Sequence, residues 1–512
     1  MRRHRWLVLG IVIVLASCAS GPRYRTPKPD LPAAFAARLN PPATAVGAGT
    51  GPDSASLELA TWWKALGDQE LNSLVDRAVN SNLDLQIALA RLQQARAYES
   101  VVMGYALPDV DASGGAGRGT GSDLTKGRAG QALRSADNGA GLRHINAIVG
   151  FDAVWELDLF GKFRREFQAV RADTEAARAA RYDVLTSVIG DVVRAYVDLR
   201  GFQVQAGILH HASEVLRESL RIVNIRYERG ITNELDVALA TRELAQLEGQ
   251  IAPVEAQARA ARYALAVLVG EYPENMAQEL AKPDLIPTMP APAAPGLPID
   301  LLKRRPDIQQ AERELAAATA RIGVATAGLF PDVTVSAAIG TQSQGWGTTP
   351  AVSKHIWSFG PGAVWPLLDF GALDAQVEVA DYAAQASLAN YRKTILAAVE
   401  QVDSSLDAYE AQQYRMEKLG DAMVAGQRAV DLATARYNRG LTDFLNVVDA
   451  ERQFYDLQEQ YAQAQVSQGE EFVQLYKSLG GGWQSYQAVP KIRVPKPAII
   501  AAFRSVISGS EP

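Results

Sequence analysis

The sequence predicts a mainly α-helical protein with a β-barrel portion, in which each chain is a tandem repeat with four β-strands and long helices. Three observations lead to this prediction: a motif that occurs twice, two pairs of short strands with distinct faces, and unusually long helix patterns. The chain has 512 residues, of which 48% are hydrophobic, so it can bury a large core.

The duplicated motif is RYERGITNELDVALATR, Arg226 to Arg242, which returns as RYNRGLTDFLNVVDAER, Arg436 to Arg452, 210 positions later. The segments VWELDLFG (154–161) and VWPLLDFG (364–371) repeat at the same offset. A proline-rich stretch at 281–298 lies between the two copies. These observations predict a first structural repeat at 61–280, a linker at 281–298 and a second structural repeat at 299–483.

A loop differs in length between the two repeats. GYALPDV at 104–110 matches AGLFPDV at 327–333 at an offset of 223, which is thirteen residues more than the offset of the other motifs. The difference must therefore lie between Val110 and Trp155. Because surface loops tolerate insertions and packed helices do not, this glycine- and arginine-rich region is predicted to be a loop.

Alternating apolar residues around these loops are typical of strands with two different faces. The pattern predicts four strands, two in each repeat, at about 106–117, 145–160, 330–341 and 354–369. Aromatic residues near the strand ends suit a membrane interface. Four strands are too few to close a barrel, which needs about eight. The chain is therefore expected to oligomerise; two copies give eight strands and three give twelve, and periodicity does not choose between them.

Long helix patterns follow each strand pair. Apolar residues recur in steps of three and four from Leu373 onward and from Phe163 to Tyr227. Each pattern covers about 65 residues and so extends on the order of 100 Å as a helix. Gly230 and Gly440 then supply C-cap positions, and a new N-cap follows each of them. The duplicated motif is thus predicted to form helical hairpin tips near 226–236 and 436–446.

The N-terminal sequence is typical of an exported protein. A basic start, a short apolar run and LASCAS predict a signal peptide at 1–17. LASCAS resembles a bacterial lipobox, which implies cleavage before Cys18, lipid attachment to Cys18 and, because Ala19 follows, sorting to the outer membrane. Residues 18–60 are predicted to form an extended arm, and residues 484–512 a C-terminal tail.

Several function classes are disfavoured. With one cysteine and five histidines, the chain is a poor candidate for a disulfide scaffold or a Cys/His metal site. The net charge of −6 does not indicate nucleic-acid binding. His210 and His211 are adjacent on a helix, so they point in different directions and cannot chelate one ion together. No catalytic motif is present. The sequence therefore predicts no enzyme activity, no metal and no cofactor apart from the lipid on Cys18.

The residues resemble the TolC-like outer membrane efflux proteins, in particular the lipoprotein branch typified by OprM and NodT. Besides the strand ends and hairpin tips, three segments carry the resemblance: TWWKALGDQELNSLVDRAVNSNLDL (61–85), LLKRRPDIQQAERELAAATARIGVATAGLFPDV (301–333) and LYKSLGGGW (475–483). It implies a homotrimer whose 12-stranded outer-membrane β-barrel continues as a periplasmic α-helical barrel. That assembly is the exit duct of a tripartite pump for small molecules such as drugs or toxic solutes, with a periplasmic adaptor protein and an inner-membrane transporter, often of the resistance-nodulation-division type, as partners.

The resemblance also implies a periplasmic aperture at the tips. Leu445, Asp449 and Arg452 match its constricting positions and share one helix face. Threefold symmetry would turn Asp449 into a ring of like charges that attracts cations. Tyr437 and Asp236 match a pair that ties neighbouring coils together in the closed state.

The sequence departs from the family pattern at one place, and two alternative functions stay open. Thr442 and Asn446 stand where TolC has arginine and aspartate, so that arginine latch is absent. Without the resemblance, Asp449 and Arg452 are interpreted as a solvated pair within one helix. The alternative functions are a type I-like protein secretion conduit and a structural envelope lipoprotein without an open channel; the two-faced strands favour a channel over a spacer.

Overall fold

The computed structural model describes residues 20–36, 59–118, 144–292, 297–346 and 352–488. Cys18, the whole predicted signal peptide, most of the arm and tail segments, and part of the linker lie outside these residues. Most of the described chain is helical, as predicted. The helices are α1 (Gln69–Ser81), α2 (Leu83–Tyr105), α3 (Lys162–Glu228), α4 (Glu234–Val269), α5 (Leu301–Arg304), α6 (Pro306–Ala327), α7 (Ala372–Asn438) and α8 (Phe444–Ser478), with short 3₁₀ helices at Trp62–Leu66, Pro298–Asp300 and Trp483–Tyr486.

Four strands form one antiparallel sheet in the order β1-β2-β3-β4. The strands are β1 (Asp109–Arg118), β2 (His144–Leu157), β3 (Asp332–Trp346) and β4 (Val352–Val364). β2 and β4 end before the predicted positions 160 and 369, because the residues that follow make local bonds instead of ladder bonds. Leu159 N–H, for example, donates to the Leu157 carbonyl at 2.8 Å. In the described chain, β1 and β4 are the edges of the sheet.

The two β-hairpins repeat each other in register. Val110 lies opposite Ala153 in the first, and Val333 lies opposite Ala363 in the second. Each hairpin is closed by a tryptophan: Trp155 Nε1–H donates to the Ala106 carbonyl at 3.0 Å, and Trp365 Nε1–H to the Leu329 carbonyl at 3.1 Å. The pair Arg118–Ile145 is equivalent to the pair Thr341–His355, so the thirteen-residue difference lies between these positions, with 26 residues at 119–144 and 13 at 342–354. Residues 119–143 of this predicted loop lie outside the described part of the chain.

The chain divides into two compact units that do not coincide with the two sequence repeats. Residues 92–177 and 310–392 make up most of the first unit, and residues 178–309 with 393 onward make up most of the second. Each unit takes elements from both repeats, because β2 of the first repeat pairs with β3 of the second along its whole length. The proline-rich stretch at 281–298 therefore connects the two repeats in the sequence, but it is not the boundary between the two compact units.

The first unit contains the sheet and the helix ends beside it. Phe160 stacks on Phe330 with ring centroids 4.7 Å apart. Lys162 Nζ lies 2.9 Å from a Glu156 oxygen and 3.5 Å from an Asp332 oxygen. These contacts join the end of β2 to the start of β3, so the two repeats are held together by stacking and by charge.

The second unit has an aromatic core. Trp62 stacks on Tyr476 at 5.2 Å, Tyr182 stacks on Trp483 at 4.6 Å, and the Trp63 side chain is fully buried. The start of the linker packs against this unit, because Arg200 Nη1 donates to the Lys282 carbonyl at 3.0 Å. Buried aromatic rings contribute large apolar areas to a core, so this region anchors the helices around it.

Candidate functional site

Two matching turns connect α3 to α4 and α7 to α8. Gly230 has φ 70° and Gly440 has φ 73°, the left-handed conformation that glycine adopts without strain. Ile231 N–H donates to the Arg226 carbonyl at 2.9 Å, and Leu441 N–H donates to the Arg436 carbonyl at 3.0 Å. Such bonds satisfy the last carbonyl groups of a helix, so both copies of the motif reverse the chain in the same way.

The helices that leave the two turns begin differently. The Asn233 side chain accepts a hydrogen bond from Asp236 N–H at 3.1 Å and so caps α4. Asp443 holds the same position before α8, but its side chain makes no capping bond. Asn446 Nδ2 donates instead to Thr442 Oγ1 at 2.8 Å. Asn446 N–H donates to the Asp443 carbonyl at 3.2 Å, so the first turn of α8 is closed by a backbone bond and not by a side-chain cap.

A buried cluster lies just above the turns and takes residues from all four long helices. Its members are Val223, Ala240, Tyr437, Phe444, Val447 and Val448. The Arg226 guanidinium lies 4.3 Å from the Tyr437 ring centroid, and the Phe444 ring lies 5.2 Å from the same ring. A guanidinium over an aromatic face is attracted by the ring quadrupole, so Arg226 and Tyr437 connect α3 to α7 at the tip.

The predicted gating residues Tyr437 and Asp236 are near each other without a hydrogen bond between them. Thr232 Oγ1 donates to the Asp236 carboxylate. The Tyr437 hydroxyl is buried and has no partner among the described residues. Burial raises the pKa of Tyr437, Arg226 opposes this shift and the Asp236 charge adds to it. Tyr437 is thus held through its ring.

Replacing Tyr437 with phenylalanine tests which part of the side chain matters. Tyr437→Phe keeps the ring over Arg226 and removes a buried hydroxyl that has no partner, so its effect on the free energy of unfolding is expected to stay within about 1 kcal/mol. Thermal unfolding followed by circular dichroism measures it. A clearly larger loss would mean that the hydroxyl makes a bond in the assembled protein, with Asp236 as the first candidate.

The predicted aperture residues lie on one exposed face of α8. Arg452 Nη2 is 3.0 Å from Asp449 Oδ1, and Gln453 Nε2 donates to Asp449 Oδ2 at 2.7 Å. Asp449 and Arg452 are both about half exposed, and Leu445 on the same face is also exposed. Within one chain, Asp449 and Arg452 therefore form the intrahelical pair given above as the alternative, and Arg452 offsets the charge of Asp449.

Sequence reasoning missed the acidic residue on the opposite face of α8. Glu451 is only 5% exposed, and its Oε2 atom has no hydrogen-bond partner among the described residues. Burial raises the pKa of Glu451 to about 7, and a hydrogen bond with Ser219 on α3 opposes this shift only in part. The signal was in the spacing: position 451 lies three and four residues after two buried valines.

The sheet has an exposed apolar row that crosses three strands. Phe151 on β2 lies opposite Ile339 on β3, which lies opposite Trp357 on β4. All three side chains are more than half exposed. Large contiguous apolar surfaces mark contacts with lipid or protein, so this face of the sheet needs an apolar environment.

Neither a metal site nor a membrane-spanning helix is found among the described residues. No group of three or more His, Cys, Asp or Glu side chains in these ranges is placed to hold a metal ion. His210 Nε2 instead lies 3.0 Å from a Glu255 oxygen. Within the same ranges, no helix combines the length and the hydropathy needed to cross a membrane.

Comparisons with known proteins agree on one family. The family model described as "Outer membrane efflux protein" matches residues 74–271 and 297–481. Pyoverdine export outer membrane protein OpmQ of Pseudomonas aeruginosa is 31% identical over 440 residues, which cover 84% of this chain and 88% of OpmQ. Nodulation protein T of Rhizobium leguminosarum bv. viciae is 29% identical over 522 residues, and both chains are fully covered.

Solved structures give the same result. The outer-membrane channel OprN is 34% identical and superposes with a TM-score of 0.77, covering 91% of this chain and all of OprN. The Campylobacter jejuni CmeC outer membrane channel is 20% identical with a TM-score of 0.79, over 91% of this chain and 95% of CmeC, and supports the fold alone. The matched residues include both hairpin turns and the sheet, and the chain belongs to the outer membrane efflux protein family.

Proposed function

We propose that three copies of the chain assemble into the exit duct of a tripartite efflux pump, which conducts small molecules passively from the periplasm to the outside. The chain is an outer-membrane channel protein of an efflux system by family. The homotrimer, the lipid anchor on Cys18, the periplasmic adaptor and an inner-membrane transporter of the resistance-nodulation-division type are the finer parts of the proposal. No covalent chemistry is required of any residue.

The observation that carries the proposal is the four-stranded sheet, with its apolar row and with two edges that pair with no further strand among the described residues. Phe151, Ile339 and Trp357 expose a continuous apolar surface across the sheet. A helical spacer in the envelope has no use for such a surface, whereas a sheet that faces lipid requires it. Strand edges that stay unpaired would expose backbone groups in hydrocarbon, so the edges must meet other strands.

The relatives indicate the kind of cargo. One relative is named for pyoverdine export and another for toluene efflux, and these molecules differ greatly in size and polarity. Related channels therefore serve pumps for different organic molecules, and we propose small organic solutes as the cargo class of this chain. Selection of one solute then belongs to the inner-membrane partner.

Single-channel recording in planar lipid bilayers tests the proposed duct and its aperture together. The wild-type protein should conduct. Asp449→Asn should move the reversal potential in a salt gradient toward anion selectivity, because it leaves Arg452 unpaired. Arg452→Gln should move it toward cation selectivity, because it leaves Asp449 unpaired at the same position.

The two variants are matched controls for each other, since each removes one charge from the same exposed pair. Shifts in the same direction, or none, would show that the current does not pass this pair. Absence of conductance in the wild type and also in a variant with loosened tips, Tyr437→Ala, would instead favour the envelope spacer without an open channel.

A further inference from the structure

We propose that a polar layer separates the two hairpin tips from the helices above them, so that the tips open together as one cooperative unit at this layer. The layer consists of Ser219 on α3, Glu243 on α4 and Glu451 on α8. All three residues belong to one chain, and only the role of the tips as the entrance of a duct rests on the proposed function.

Two apolar clusters lie on the two sides of the layer. The lower cluster is the one just above the turns, and its members come from α3, α4, α7 and α8. The upper cluster lies farther from the turns and takes residues from α3, α4 and α8; its members are Leu209, Ala212, Leu216, Leu247, Val254 and Tyr455. The two clusters share no residue. The apolar core of these helices is therefore interrupted between them.

The two glutamates hold positions where an apolar residue would continue the core. Glu243 stands three residues after a member of the lower cluster and four residues before a member of the upper cluster, and Glu451 has the same spacing on α8. The flanking residues are Ala240 with Leu247 on α4 and Val448 with Tyr455 on α8. Steps of three and four keep residues on one face of a helix, so both glutamates lie on the core face.

The three polar residues lie at nearly one height above the turns. Ser219 precedes Gly230 by eleven residues, and Glu451 follows Gly440 by eleven. Glu243 follows Gly230 by thirteen residues. At a rise of about 1.5 Å per residue, these positions are about 17 Å and about 20 Å from the turns. The hydrogen bond between Ser219 and Glu451 agrees with this estimate. The residues thus form one layer across three helices.

The carboxyl groups of the layer have few partners for their burial. Glu451 is 5% exposed, and its Oε2 atom has no hydrogen-bond partner among the described residues. Glu243 is 7% exposed, and its Oε2 atom lies 3.4 Å from Nη2 of Arg242, a side chain that is mostly exposed. A buried polar group without full hydrogen bonding costs free energy, so this layer holds the helices together less firmly than the apolar clusters do.

The lower cluster connects the two tips to each other. Val223 and Ala240 come from the first hairpin, whereas Tyr437 and Val448 come from the second. A polar residue at a core position lowers the stability of packed helices, and proteins open locally in cooperative units that begin where few apolar contacts hold them. Both tips are therefore expected to open together, up to the polar layer, while the upper cluster stays packed.

Hydrogen–deuterium exchange, read by mass spectrometry on the full-length protein in lipid nanodiscs, tests this boundary. Two matched variants remove the same two methyl groups on either side of the layer. Val448→Ala in the lower cluster should speed exchange by about tenfold in peptides from both tips, 226–242 and 436–450, although the substitution lies in one hairpin. Val254→Ala in the upper cluster should change exchange at the tips by less than about twofold.

Glu451→Met tests the layer itself. Methionine is apolar and has nearly the length of glutamate, so it should join the two clusters and slow exchange in both tips by about tenfold. The measurement is made near pH 4.5, where Glu451 is protonated in the folded protein because burial raises its pKa to about 7. At this pH, Glu451→Gln is the control: it keeps the layer polar and should leave exchange within about twofold of the wild type.

Three results would overturn the proposal. Faster exchange in 436–450 alone, in Val448→Ala, would show that the two tips are not one unit. Equally fast exchange at the tips in Val254→Ala would show that the cooperative unit extends through the layer. Unchanged exchange in Glu451→Met would show that the layer is not the weak point. Conductance recorded on the same protein separates this inference from the proposed function: a wild type that does not conduct contradicts the duct, whereas the exchange rates alone decide about the layer.

Discussion

Replacing Arg305 with methionine is expected to lower the free energy of unfolding by about 3–5 kcal/mol, as for other buried ion pairs that lose one partner. Methionine keeps much of the length of the side chain and leaves only a small cavity. The lost free energy therefore comes mainly from the charge and its hydrogen bonds. The change should leave the secondary structure in place and lower the temperature of thermal unfolding. Circular dichroism at 222 nm follows this transition.

The reason is the number of elements that this buried guanidinium joins. It forms a two-pronged contact with Asp307, with nitrogen–oxygen distances of 3.0 and 2.7 Å. It also donates to the Ser478 carbonyl at the end of α8 and to the Gln401 side chain on α7, both at 2.9 Å. Removal of Arg305 leaves these acceptors without their donor inside the protein, which costs more than the loss of an exposed pair.

A nearby carboxyl gives the effect a pH dependence. Burial raises the pKa of Asp183, the Asp307 charge raises it further, and Arg305 opposes both. Without Arg305, the folded-state pKa of Asp183 should rise again. Because a raised carboxyl pKa destabilises the folded protein only at pH values where the group is ionised when unfolded, the deficit of Arg305→Met should shrink as the pH falls toward 4.

The neighbouring arginine is the matched control. Arg304 lies 3.9 Å from Asp300, one turn earlier, and is considerably more exposed than Arg305. Arg304→Met should therefore change the free energy of unfolding by less than about 1 kcal/mol. Equal losses in the two variants would refute a special role for the Arg305 network.

The contrast between these arginines shows what sequence reasoning could and could not supply. Proline suits the first turn of a helix, so Pro306 in the motif KRRPDI is typical of a helix start, and α6 begins there. The motif could not say which arginine is buried, since that depends on the ends of α7 and α8, far away in the sequence. Local periodicity in the sequence predicts helices and repeats, whereas the burial of a charged side chain depends on the tertiary structure.

The strands and units make the same point. Alternation placed the four strands near their observed positions, and the two repeat offsets predicted which strands of the two hairpins correspond. The pairing of β2 with β3 joins residues nearly 200 positions apart. No local pattern encodes that pairing, so the division into units that mix the two repeats could not be predicted from the sequence.

The acidic residues of α8 were the hardest to interpret. Asp449 and Glu451 are two positions apart, and the resemblance to a family directed attention to Asp449. The structure places Asp449 in an exposed pair with Arg452 and buries Glu451 between helices. A charged residue within an apolar stripe is more unusual than one on an exposed face, so Glu451 was the stronger physical signal.

Replacing Glu451 with glutamine is expected to stabilise the folded protein by about 3 kcal/mol near pH 8.5 and by little near pH 4.5. The pKa of Glu451 is raised from 4.5 to about 7 by burial. In the folded protein, the protonated form is therefore favoured. The stability that protonated Glu451 contributes is fully present below 4.5, the pKa of the group in the unfolded chain. It is lost as the pH rises through the folded-state pKa of about 7. Glutamine keeps the shape and carries no charge at any pH, so it removes this loss.

Thermal unfolding of the wild type and Glu451→Gln at several pH values between 4.5 and 8.5 measures the effect, and Asp449→Asn, on the exposed face of the same helix, is the control. If the difference in unfolding temperature between the two proteins stays constant across this pH range, the pKa of Glu451 in the folded protein is that of an ordinary carboxyl group. If the curves diverge as expected, the wild-type tip holds a proton near neutral pH between α8 and α3, where only the Ser219 hydroxyl opposes the effect of burial. Loss of that proton then weakens the packing beside the proposed aperture, so the stability of the tip depends on the surrounding pH.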